Sequence, residues 1–148
     1  MSLSQLRHRL TRFALLPLAV VTLSLAGCES DEPAAPESHT PESAKLFVND
    51  VDVSADLLLA AGAMTTVEVR FYDAHGDQIT GIEDHHYAGL VFTPTALATA
   101  VGQVDAHFFL DVTAQAAAGT GTVMVGYGHD VDADELAFGP FPVTVEIP

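Results

Sequence analysis

The sequence predicts an all-β domain over residues 44–148, a sandwich of two sheets built from about seven antiparallel strands. Three observations predict it. Apolar side chains recur at every second position in run after run, the period of a strand with one buried face. Gly, Pro and Asp break those runs at short intervals, as turns between strands do. No long stretch carries an apolar stripe at helical spacing, and the alanine-rich segment Ala114–Ala118 is short and stops at Gly119.

The strands follow in chain order. Leu46–Val53 and Leu57–Leu59 supply one or two of them. Thr66–Tyr72 sets Val67, Val69 and Phe71 on one face and polar groups on the other. Ala88, Leu90 and Phe92 form the next inward row. Val104, Ala106, Phe108, Leu110 and Val112 form a longer one, opposite Asp105, His107, Phe109 and Asp111, so His107 is expected on the solvent face. Val123, Val125 and Tyr127 come next, and Phe141, Val143, Val145 and Ile147 close the domain. Pro140 and Pro142 lack ladder donors, which puts the start of the last strand at a sheet edge. This count of short strands reads as an immunoglobulin-like sandwich. Cys28 is the only cysteine, so the domain has no internal disulfide and apolar burial must hold it.

Ahead of the domain, Arg7, Arg9 and Arg12 precede an apolar run from Phe13 to Leu25. A helix needs ~20 apolar residues to span a bilayer, so this run is too short. It closes in Leu25-Ala26-Gly27-Cys28, which resembles the lipobox of bacterial lipoprotein precursors. The resemblance implies a signal peptide over residues 1–27, cleavage before Cys28, lipidation of that cysteine and anchorage in the cell envelope. Where enteric lipoproteins kept at the inner membrane carry aspartate, this chain has Glu29. That implies the outer membrane, at its periplasmic or surface face. Residues 28–43 hold three prolines and no large apolar side chain beyond the cysteine, the composition of a disordered acidic tether. Its fifteen residues after Cys28 reach at most ~50 Å.

Beyond Cys28 the chain carries all 20 acidic residues against two cations, Lys45 and Arg70, a net −18 with neutral histidines. Such a surface repels nucleic acid and attracts cations. Solubility or a saline habitat accounts for the same charge.

The segments Leu57-x-Leu59-x-Ala61-Gly62, Thr66-Val67-x-Val69 and Asp73-x-x-Gly76-x-x-Ile79-Thr80-Gly81 are similar to bacterial Ig-like (Big-type) repeats. Ala118-Gly119-Thr120-Gly121-Thr122-Val123-x-Val125 resembles their penultimate strand. The likeness covers roughly residues 53–147 and implies the sandwich, with adhesion, spacing, ligand display or metal binding as its uses. One departure is the long, charged, histidine-bearing segment Asp73–His86.

Enzyme signatures are missing. Ser54 is the only serine beyond the tether, and Gly-x-Ser-x-Gly, a phosphate-binding glycine loop and His-Glu-x-x-His are all absent from the sequence. The expectation is a protein that is not an enzyme.

The histidines carry more. His75, His85, His86, His107 and His129 fall in the domain, most beside carboxylates: Asp73, Asp77, Glu83, Asp84, Asp130, Asp132, Asp134 and Glu135. In an Ig-like sandwich the segments 73–86 and 129–137 emerge at the same end. Strand parity carries Val67, Val69 and Phe71 on to Asp73, carries Leu90 and Ala88 back to His86, and carries Val125 and Tyr127 on to His129. An unbroken register sets His86 beside His129, with Asp73 facing them; a bulge at Gly89, Gly126 or Gly128 would break the argument. Two imidazoles and a carboxylate form a common Zn²⁺ or Cu²⁺ ligand set. His75, His85 and Asp84 are outer candidates. Asp130-x-Asp132-x-Asp134 resembles the opening of an EF-hand loop, but Glu135 stands where that loop needs Gly, which leaves only a looser Ca²⁺ site over Asp130, Asp132, Asp134 and Glu135.

Two functions remain open. One is a metal-binding lipoprotein that buffers Zn²⁺ or Cu²⁺ or delivers it to an envelope transporter. The other is a non-catalytic interaction or adhesion module, with or without stabilising Ca²⁺, that holds an envelope protein. Histidines among carboxylates also suit a pH sensor.

Overall fold

A computed structural model describes residues 40–82, 85–130 and 132–148. The signal peptide, Cys28, residues 29–39 of the tether and Asp84 lie outside the described residues. Among the described residues there is no helix, and the strands form two facing sheets, the immunoglobulin-like sandwich expected from the alternation.

The chain enters through β1 (Ser43–Val48) and turns back as β2 (Val51–Asp52). Asn49 and Asp50 make that turn at φ values of 51° and 63°, a left-handed conformation that short polar side chains tolerate. After Asp52 the chain changes sheets and becomes β3 (Leu57–Ala60). Then come β4 (Met64–Tyr72), β5 (Tyr87–Thr93), β6 (Ala98–Gln103), β7 (Ala106–Ala114), β8 (Gly119–Gly128) and β9 (Leu136–Glu146). The first sheet has the order β2-β1-β4-β7-β6, the second β3-β9-β8-β5.

The inward rows meet between the sheets. Val67, Val69 and Phe71 of β4 are 0–1% exposed, as are Val123 and Val125 of β8 and Val143 and Val145 of β9. Phe71 sits at the junction, edge-on to Phe108 (5.1 Å between ring centres) and Tyr127 (4.9 Å), and tilted against Phe138 (5.7 Å). Burying a side chain of this size stabilises the fold by about 1.5–3 kcal/mol.

Four features differ from the sequence reading. Among the described residues there are nine strands rather than about seven, because the entering segment Leu46–Val53 folds back on itself as β1 and β2 and because β6 is a strand. One strand pair is parallel: β3 runs beside β9 in the same direction, from Leu57↔Val143 to Ala60↔Glu146. Val104 is 88% exposed in the turn between β6 and β7, so the inward row starts later than predicted. Ile147 lies past the end of β9 and is 69% exposed. The prolines behave as expected: Pro140 and Pro142 precede Val143, where β3 begins to pair, so that stretch of β9 has β8 as its neighbour on one side only.

Candidate functional site

β4 ends at Tyr72, β5 starts at Tyr87, β7 starts at Ala106, β8 ends at Gly128 and β9 starts at Leu136. The antiparallel pairings of β4 with β7 and of β5 with β8 bring all these strand ends to one end of the sandwich. The described residues of 73–86 and 129–135, with 104–105, therefore share one pole. His107, the second residue of β7, belongs to it as well, so all five histidines of the domain lie there. The solvent-face expectation for His107 needs correcting: its ring stacks on Tyr87 at 4.2 Å and is half-buried.

The register between β5 and β8 runs without a break from Tyr87↔Gly128 to Thr93↔Thr122. Just beyond its end, the ring centres of His86 and His129 are 4.1 Å apart with a 48° tilt. On the diagonal, the Tyr127 ring lies flat against His86 at 4.8 Å and 12°. Burial keeps the Tyr127 phenol protonated to higher pH than usual, with Glu135 adding to that effect.

Both imidazoles are fixed through the same ring nitrogen. His86 Nδ1–H donates to the Ile82 carbonyl at 3.0 Å. His129 Nδ1–H donates to Glu135 Oε1 at 2.6 Å, and the His129 backbone N–H reaches the same oxygen at 3.2 Å. The hydrogen bond from the His129 ring, then the backbone bond and the nearby imidazoles, hold the Glu135 carboxyl below its usual value. An open cleft of about 560 Å³ lies over the pair, bordered by Thr40, Ile82 and Leu136.

The three glycines that threaten the parity argument serve as a seat. Gly89 and Gly126 pair across β5 and β8, and Gly128, two residues on, pairs with Tyr87. Ala133, φ 46° and 2% exposed, folds down onto them. A Cβ on Gly126 would stand 2.2 Å from the Ala133 carbonyl oxygen, so only glycine admits this approach. Seated there, the 129–135 segment returns toward β8: Glu135 N–H donates to the Tyr127 carbonyl at 3.0 Å. That return sets Glu135 beside His129.

Of the other predicted ligands, Asp73 is engaged in its own loop and most of the rest face solvent. Asp73 Oδ1 accepts the backbone N–H groups of His75 (2.8 Å) and Asp77 (3.0 Å), closing its own loop. Those bonds, the Asp77 one foremost, lower its pKa against the opposing effect of burial. His75 is largely exposed, 3.7 Å from Asp73 Oδ2, and His85 is exposed. Asp130, Asp132 and Asp134 face solvent, while Glu135 is turned toward His129. Among the described residues no three His, Cys, Asp or Glu side chains are grouped to hold a metal ion between them. Sequence reasoning identified the His86–His129 opposition but not Glu135 as the partner of His129; the six-residue spacing becomes informative only once the loop is known to fold back.

At the opposite end a cleft of about 640 Å³ lies among Leu58, Met64 and Ile147, with no imidazole on its walls.

No protein-family model matches the chain, and no curated protein matches its sequence. Among solved structures the chain is similar to "Structure of surface layer protein SbsC, domains 1-6", at 20% identity and TM-score 0.44 over 74% of this chain and 13% of that one. It is similar to the SbsC fragment of domains 4 and 5 at 20% identity and TM-score 0.41, over 72% of this chain and 53% of that one. The Yersinia pseudotuberculosis adhesin InvE matches at 17% identity and TM-score 0.41, over 70% of this chain and 26% of that one. The chain thus spans 13% to 53% of the length of these proteins. With likeness at that level, the function must be argued from the site's own geometry.

Proposed function

We propose that the chain is exported, lipidated at Cys28 and tethered at the cell envelope, and that its sandwich is a non-catalytic interaction module. Its working end is the acidic, histidine-bearing pole. One observation carries this reading: three loops drawn from both sheets converge there with all five domain histidines, and residues 73–86, 104–105 and 129–135 contain no lysine or arginine. A partner of opposite charge is steered to such a surface. The partner is therefore an envelope protein with a basic face. The outer membrane is the expected site, on the strength of Glu29 and the lipobox resemblance.

Photo-crosslinking residues placed at Asp77 and Asp132, on the pole, and at Ala63 and Ala117, at the other end, test this in intact cells. The account predicts one envelope adduct from both polar positions, and none from Ala63 or Ala117. Adducts from the far end alone, or none from either, would defeat the proposal. In the same cells Cys28→Ser abolishes acylation and membrane retention if the anchor is as proposed.

A second reading, metal handling by buffering or delivery to an envelope transporter, is favoured by one observation, the 4.1 Å contact between the His86 and His129 rings.

A further inference from the structure

Two imidazoles in contact do not by themselves make a metal site, because each ring must also present an unprotonated nitrogen. Here the hydrogen bonds decide which one. The Ile82 carbonyl oxygen can only accept, so the His86 nitrogen 3.0 Å from it carries the proton. The Glu135 carboxylate also only accepts, so the His129 nitrogen 2.6 Å from it carries the proton too. In their neutral forms both rings therefore keep the lone pair on Nε2, with Nδ1 anchored. Carboxylate and carbonyl partners behind the coordinating rings are the arrangement that orients metal-ligating histidines and raises their basicity.

We propose that His86 and His129 form a two-imidazole site for a borderline divalent cation, Cu²⁺ ahead of Zn²⁺, with Glu135 and the Ile82 carbonyl as orienting groups. The pair flanks the last register pair, Tyr87↔Gly128, and its rings meet at 4.1 Å between centres. Tyr127 stacked beneath His86 restrains that ring. Imidazole selects Cu²⁺ and Zn²⁺ over Ca²⁺, and an unconstrained nitrogen site follows the order that ranks Cu²⁺ above Zn²⁺. Among the described residues no third His, Cys, Asp or Glu is grouped with the pair. The side chain of His129 is 61% exposed, which leaves a route for the ion.

The site deepens the metal-handling reading and does not depend on a protein partner, so failure of the crosslinking experiment leaves it standing, and the converse holds. The test uses the full chain in detergent with Cys28→Ser, so that its thiol cannot ligate, titrated with Cu²⁺, Zn²⁺ and Ca²⁺ by calorimetry and followed by electron paramagnetic resonance for Cu²⁺. Expected are one Cu²⁺ per chain with micromolar affinity, coupling to two nitrogens, weaker Zn²⁺ binding and no Ca²⁺ binding at this site. His86→Gln and His129→Gln each weaken Cu²⁺ binding by about tenfold or more, and Glu135→Gln by about tenfold, as loss of an orienting partner does. Zn²⁺-induced shifts of the His86 and His129 ring resonances in the chain with both histidines intact give the same answer even where a variant fails to fold. Affinity retained in the His86→Gln/His129→Gln double variant, loss of binding with His75→Gln instead, or no Cu²⁺ binding would overturn the proposal.

Discussion

Glu135 holds the His129 ring at 2.6 Å and is itself kept ionised below its usual value, chiefly by that bond. A carboxyl whose folded pKa is lowered contributes stability above its unfolded value and loses it as pH falls through the folded one. The 129–135 segment should therefore loosen only below the usual glutamate value of 4.5. Carbon-13 titration of the Glu135 carboxyl is expected to give a midpoint below that value; one at or above it would mean the His129 contact is not formed. At this scale the sequence was partly legible. Parity brought His86 to His129 because the β5–β8 register is regular. It sent Asp73 to the same place, but the Asp73 carboxylate caps two backbone N–H groups of its own loop.

Glycine in a strand has several uses, and the pattern alone cannot say which one applies. Gly89, Gly126 and Gly128 read as candidate bulges, yet β5 and β8 pair without interruption and the missing side chains make room for Ala133. Gly126→Ala sets a methyl group against the Ala133 carbonyl and must lift the loop or shift β8. Overpacking of this kind costs about 1–3 kcal/mol. Hydrogen exchange should accelerate over 129–135 in that variant while the central amides of β4 and β7 stay protected, and unchanged exchange in the loop would contradict the seat. Among the strands, β6 escaped notice because its inward side chains are only Ala98 and Ala100, while its one large apolar side chain, Val101, points outward and is 68% exposed. Small inward residues suffice at a sheet edge and leave little amphipathic signal.

For the whole molecule, the inward rows that meet at Phe71 specify a two-sheet sandwich, and they could be read from alternation alone. The change of sheet between β2 and β3 could not, since it depends on which neighbour Leu57 and Leu59 meet, β9, a partner 86 residues away in the pairing Leu57↔Val143. The sandwich matters for function because it gathers loops distant in sequence onto one acidic pole. The claim that rests on this gathering is that His86 and His129 face each other there, each protonated at Nδ1. Nitrogen-15 NMR of the histidine rings in the metal-free full chain, combined with nuclear Overhauser contacts, tests it most directly. The account predicts ring-to-ring contacts between His86 and His129 at a pH where both are neutral, with Nδ1 protonated and Nε2 bare in each. Rings without mutual contacts, or protons on Nε2, would contradict it.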